Sequence, residues 1–222
     1  MIRKMLLTGV VVMIVALSAG AEAARADSVT LVAGTLLTGS NSVTGNVTIT
    51  ITDIGSTGNV RVTVLNNTNG DLTNLALNYS SPVSGAAAVS NLSGAGPAPT
   101  SVVFGSNNVN APGGARFDVN INFPTGQPAG RLNAGESVTF DLDAASPIFA
   151  SGFNAISIGG QQNFYLLAHI QAINNGGDSS KLVGGAPNAP VPEPATMILL
   201  GTGLAGAAAS IRRRRKNAAD QA

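Results

Sequence analysis

The sequence predicts an all-β fold: an antiparallel β-sandwich of about nine strands, flanked by an N-terminal signal peptide and a C-terminal single transmembrane helix. Three observations predict it. The middle of the chain alternates apolar and polar residues at period two and has little helical periodicity. Clusters of Gly, Asn, Pro and Ser, such as NTNG, SNNVNAPGG, PTGQPAG and NAGE, separate these runs. The two apolar stretches without alternation, residues 5–19 and 197–211, sit at the ends of the chain.

The first element, residues 1–26, has the three parts of a secretory signal. Arg3 and Lys4 form the charged region, residues 5–19 the apolar core, and small residues follow. Ala21-Glu22-Ala23 and Ala24-Arg25-Ala26 both fit the cleavage pattern; cutting after Ala26, in the Ala24–Ala26 site, is expected. Such a signal implies the Sec translocon and a signal peptidase as partners.

Residues 27–173 are expected to form the sandwich. In GNVTITITDI, Val47, Ile49 and Ile51 face one way and Thr48, Thr50 and Thr52 the other. NVRVTVLN sets Val60, Val62 and Val64 against Arg61 and Thr63. ARFDVNINF sets Phe117, Val119, Ile121 and Phe123 against Asp118, Asn120 and Asn122. ESVTFDLD sets Val138, Phe140 and Leu142 against Thr139, Asp141 and Asp143. One wet face of an antiparallel sheet requires this alternation. Further strands are expected at 28–37, 72–79, 101–105, 152–158 and 163–172, the last apolar on both faces as a central strand would be. Short strands at this spacing suit a sandwich. A small barrel or a solenoid is the alternative, although the chain has no fixed-length repeat.

Two stretches read as loose. Residues 80–100, SSPVSGAAAVSNLSGAGPAPT, are rich in small residues and suggest a surface excursion. Residues 174–190 read as a flexible linker to the terminal element.

The net charge of +1 hides an uneven distribution. Between the ends lie four cations, Arg61, Arg116, Arg131 and Lys181. They face eight acids, Asp27, Asp53, Asp71, Asp118, Glu136, Asp141, Asp143 and Asp178, leaving −4. Nothing there would neutralise a phosphate backbone, so no nucleic-acid partner is expected. Without cysteine there is no disulfide framework. The 164 residues of 27–190 must rely on an apolar core, and a domain of that size buries roughly 70% of its unfolded surface.

Few residues carry chemistry. His169 is the one histidine, and neither a nucleophile nor an orienting acid is visible beside it, so it reads as a hydrogen-bonded sheet residue. Asp141 and Asp143 share a strand face with carboxylates roughly 7 Å apart. That spacing suits an inverting glycosidase pair or, with Asp53 or Asp118, a Ca²⁺ site. Strand-face carboxylates are ordinarily just solvated, and no catalytic residue, metal or cofactor is assigned. Thr48, Thr50 and Thr52 form one T-x-T row, whereas ordering water on a flat face takes several stacked rows. Asn46, Asn66, Asn78 and Asn91 head N-x-S/T sequons.

The last element is VPEPATMILLGTGLAGAAASIRRRRKN, residues 191–217. Gly201, Gly203 and Gly206 spell GxGxxG, but the chain ends 16 residues after Gly206, too soon for the βαβ unit and acid that a dinucleotide site needs. Residues 197–211 carry no charge and as a helix would span about 22 Å. A bilayer core of about 30 Å can be met by local thinning and snorkelling. Arg212, Arg213, Arg214, Arg215 and Lys216 would stay cytoplasmic as a stop-transfer block. Arg3 and Lys4 demand the same of the other end, so both termini of the precursor are expected inside. Pro192 and Pro194 exclude regular helix and bias their neighbours toward extended backbone, which presents Glu193.

Pro192, Glu193 and Pro194, the apolar run and the Arg block in that order resemble the PEP-CTERM sorting signal of exported Gram-negative proteins, an element also labelled an ice-binding-protein C-terminal domain. The resemblance covers about residues 190–217. It implies recognition by an exosortase-like sorting enzyme, removal of the tail, and delivery from the inner membrane to the cell surface or extracellular polysaccharide. The stretch LLAHIQAINNGGDSSKLVG is similar to an Ala-His-(Val/Ile)-Gln stretch of other proteins with this tail, which implies a shared fold. The expected function is therefore that of an exported, non-enzymatic surface or extracellular-matrix protein associated with exopolysaccharide. The alternatives are a carbohydrate- or Ca²⁺-binding module on the same scaffold and, further off, a hydrolase.

Overall fold

Alternating runs of β-branched residues bury one face and leave the other wet, and they supply most of the eleven strands among the described residues. The computed structural model describes residues 27–126, 130–160 and 162–186. Its strands are β1 (Ser28–Gly39), β2 (Gly45–Asp53), β3 (Val60–Thr68), β4 (Asp71–Leu77), β5 (Gly85–Ala86), β6 (Ala88–Gly94), β7 (Ser101–Asn110), β8 (Arg116–Asn122), β9 (Ser137–Asp143), β10 (Leu166–Gln171) and β11 (Ser180–Gly184). Val47, Ile49 and Ile51 of β2, Val60, Val62 and Val64 of β3, and Val138, Phe140 and Leu142 of β9 are all fully buried.

All strand pairs are antiparallel, in one sheet of order β5-β7-β8-β4-β10-β11-β1-β2-β3-β9-β6. The two edge strands, β5 and β6, are consecutive in the chain and separated by Ala87 alone. Ala87 still donates its N–H to Val102 O at 2.9 Å. The sheet therefore curls almost closed, and one core cluster draws residues from nine of its strands. The all-β antiparallel expectation holds. The two-layer sandwich is corrected to a nearly closed, barrel-like sheet, and about nine strands become eleven. The reason is topological: alternation sets which face is buried, while closure depends on which strands pair.

Three segments depart from their expected state. Residues 80–100 contain β5 and β6, which form the seam; from Ser90 to Gly94 β6 is exposed, which is why its composition reads as loop. Residues 174–190, expected as a flexible linker after a domain ending at 173, supply β11 between β10 and β1. With Leu182 and Val183 adjacent, buried by opposite faces of the sheet, β11 lacks any alternation. Residues 187–190 of that stretch lie outside the described residues.

The expected strand 152–158 is instead a 3₁₀ turn, Ala150–Phe153, followed by a single bridge from Ile158 to Arg116. Phe153 points inward and meets Tyr79 edge-on, with centroids 4.9 Å apart. The turn caps the end of the barrel where β2 and β4 finish. Asp53 Oδ1 accepts from Ala150 N at 2.6 Å, Tyr79 Oη from Phe149 N at 2.9 Å, and Gly58 O from Ile148 N at 2.8 Å. Core burial of one aromatic wins over continuing a ladder.

The two-residue turn from β3 to β4 carries the chain across the core to a strand it does not pair with. Fully buried Asn66 holds this corner, donating to Gly70 O at 2.8 Å and Leu132 O at 2.9 Å. No helix among the described residues is long and apolar enough to cross a membrane. The expected helix 197–211, the sorting residues Pro192, Glu193 and Pro194, the basic block 212–216 and the cleavage residues Ala24 and Ala26 all lie outside them.

Candidate functional site

Asp141 does not face Asp143 as a catalytic partner. Cross-strand register sets it opposite Arg61, whose Nε donates to Oδ1 at 2.7 Å and Nη2 to Oδ2 at 3.0 Å. Asn91 Nδ2 donates to Oδ2 at 2.7 Å from the other side. Asn91 reaches it because β6 bulges between Ser90 and Ser93, with Asn91 at φ 51°. The Arg61 hydrogen bonds, joined by that of Asn91, hold the Asp141 carboxyl below the usual range against the effect of its burial. A carboxylate clamped by a bidentate guanidinium and an amide has most of its lone pairs taken and its charge already paired, which disfavours a cation. It also has no proton to give a substrate.

The other acids considered for Ca²⁺ are also engaged. Asp53 caps Ala150 N, and burial, with Asp27 nearby, raises its pKa. Asp118 accepts Asn107 N at 2.8 Å and Tyr79 N at 3.4 Å. Among the described residues no three His, Cys, Asp or Glu side chains gather as a metal-holding group.

The threonine row of β2 does not stand alone. Register continues Thr50 to Thr30 on β1, to Thr63 on β3 and to Thr139 on β9. The hydroxyls pair across strands, Thr30 with Thr50 at 3.2 Å and Thr63 with Thr139 at 2.9 Å. Half-buried and mutually bonded, they act as cross-strand ties. Arg61 and Asp141 interrupt the adjacent row, and Val32 and Leu65 the one beyond.

His169 lies on the outer face, half-buried. Thr73 Oγ1 sits 3.3 Å from its Nδ1 and 3.2 Å from its carbonyl oxygen. Burial, with the Lys181 charge beside it, lowers its pKa. It is opposite Asn74 on one side and Lys181 on the other. The same register extends from Asn74 to Asn122 and Ser101, and from Lys181 to Thr38. Six strands thus align Ser101, Asn122, Asn74, His169, Lys181 and Thr38. Asn74 Nδ2 donates to Asn122 Oδ1 at 2.9 Å and also to Asn120 Oδ1, and Asn122 Nδ2 donates to Ser101 Oγ at 3.0 Å. Lys181 makes no ion pair with a described residue.

Sequence reasoning singled out His169 here and missed its neighbours. Lys181 fell in the expected linker, and the asparagines read as ordinary wet-face residues. Beside this row the outer face turns apolar: Ala76, Leu167 and Val183 pack with Phe117, Ala111 and Ala115. Two clefts, of about 170 Å³ along Leu37 and Phe164 and about 190 Å³ along Tyr79 and Asp118, are smaller than the usual small-molecule site.

Two of the sequons are closed in the folded protein, since Asn66 and Asn78 are buried. Asn91 spends its amide on Asp141.

The described residues form a barrel-like all-β domain in which Asp53, Asp118 and Asp141 are structurally engaged. Residues 190–215 match the family model of the PEP-CTERM protein-sorting motif. The chain carries that motif, which implies processing by an exosortase-like sorting enzyme, with a membrane-anchored precursor delivered to the surface or exported. No curated protein and no solved structure matches the chain.

Proposed function

We propose that the chain is a non-enzymatic cell-surface or extracellular-matrix protein that associates with exopolysaccharide and is delivered by its C-terminal Pro-Glu-Pro signal. The match of residues 190–215 to the sorting motif carries this reading. The geometry of the domain supports its non-enzymatic part: Asp141 is clamped by Arg61 and Asn91, and His169 leans on a threonine with no acid in reach of its ring. In this reading Glu193 and its flanking prolines are what the sorting enzyme grips. Arg212, Arg213, Arg214, Arg215 and Lys216 hold the precursor in the inner membrane until it does, with both termini cytoplasmic.

Fractionation of the producing cells tests it. Glu193→Ala, or deletion of 212–216, should accumulate full-length precursor in the inner membrane and deplete the surface and medium. Normal processing of both variants would overturn the reading. Of the alternatives, a carbohydrate-binding module is favoured over a Ca²⁺ site, because the outer face carries a row of neutral polar groups with one cation while the Asp141 oxygens are engaged by Arg61 and Asn91.

A further inference from the structure

We propose that the outer-face row Ser101–Asn122–Asn74–His169–Lys181–Thr38 binds a polysaccharide bearing sparse carboxylates, with Lys181 taking a carboxylate and the amides and hydroxyls taking sugar hydroxyls. This deepens the matrix reading above and rests on it for its biological setting, though not for its test.

The row runs across the strands. Five inter-strand steps of about 4.8 Å make it about 24 Å long, a length suited to an extended chain and too long for a single small ligand. Its chemistry is polar throughout: amide and hydroxyl groups on four strands, an imidazole on the fifth and one ammonium on the sixth. Asn74, Asn122 and Ser101 form a relay, 2.9 and 3.0 Å, which orients the amides before any ligand arrives. Such groups offer donor and acceptor together, as a hydroxyl-rich polymer requires.

Lys181 sets the charge. The nearby carboxylates have other partners, Asp71 with Arg131 at 3.4 Å and Asp178 with the Ser40 hydroxyl at 3.0 Å. Beside Lys181, His169 is held toward its neutral form and faces Thr73 and Asn74. The row therefore presents one full positive charge among neutral groups, inside a domain whose four cations are outnumbered by eight acids. Screening confines that acidic background to about 8 Å at physiological salt, so a lone carboxylate over Lys181 is attracted. A densely charged polyanion, spread over the whole domain, is repelled. Sparse charge is what this pattern selects.

Calorimetry on the full-length chain in mild detergent tests the proposal, with hyaluronate, which carries one carboxylate per disaccharide, as probe. Neutral dextran and densely sulfated heparin are the comparisons. Hyaluronate should bind best, and raising the salt should weaken it. Lys181→Met should weaken it about tenfold, the loss of one charge-assisted contact, while Lys181→Arg keeps most of the binding. Thr63→Ala, on the remote threonine rows, should leave it unchanged. No hyaluronate binding, tighter binding of heparin, equal binding of dextran, or salt-independent binding would each overturn the proposal. So would undiminished binding by Lys181→Met; should that variant not fold, Lys181→Gln is read in its place. A sorting failure would appear in the fractionation of the Glu193 variant, independently of any of these outcomes.

Discussion

Asn66 shows what one residue can decide. Both of its amide hydrogens go to backbone carbonyls, its Oδ1 accepts from Thr68, and it is fully buried. Asn66→Ala should lower stability by about 2–3 kcal/mol, the loss of its buried hydrogen bonds, read as a fall in Tm. Asp141 supplies a pH signature. Its pKa is depressed in the fold, so its stabilising effect is complete above the ordinary carboxylate value and fades as pH falls through the folded one. The Tm gap between wild type and Asp141→Asn should be widest near neutrality and close in strong acid. His169 favours its neutral form, so wild type should lose stability as pH drops below about 6.5, and His169→Gln should flatten that limb. At this scale the alternation was legible, because burying one face is a local property. The fate of Asp141 was not: Arg61 lies 80 positions away, and only pairing of β3 with β9 brings it opposite.

Among the elements, β11 is paired along both edges. It lies between β10 and β1, and Leu182 is buried from the core side. Leu182→Ala should cost about 2–5 kcal/mol, measurable by denaturant unfolding. Gly184 is needed for a different reason. A Cβ there would stand 2.3 Å from Val32 O, so Gly184→Ala must push β1 and β11 apart and should raise amide exchange in both strands. Five residues bounded by Ser and Gly give too short a window for periodicity, and the both-face burial of Leu182 and Val183 removes the alternation itself. The seam strand β6 escaped for the opposite reason: largely exposed, it carries little apolar signal at all. Strands with one wet face announce themselves in sequence; without one, the apolar run of β10 was still legible, and short β11 and exposed β6 were not.

For the whole molecule, the sequence was most legible at its C-terminal end. The order of Pro-Glu-Pro, apolar run and basic block needs no folding to be read, and the family match falls on the same residues. The domain is the reverse case. Its class followed from pattern, but the curled sheet and the outer-face row depend on pairings between strands far apart in the chain, such as β4 with β10 and β1 with β11. The Glu193 and Lys181 variants divide accordingly: the first should change where the protein accumulates, the second what it adheres to once there.

The placement of β1 has a kinetic consequence. Its one edge is met by β2 at once, but the other waits for β11, about 150 residues later in a chain synthesised N-terminus first. Pairings this remote are slow, because loop closure must precede any gain from contact. Until Ser180–Gly184 emerges, the first and central strands lack a neighbour and the curl has nothing to complete it. The order of its strands thus holds back completion of the sheet until the last of them is present, a delay built into the fold itself.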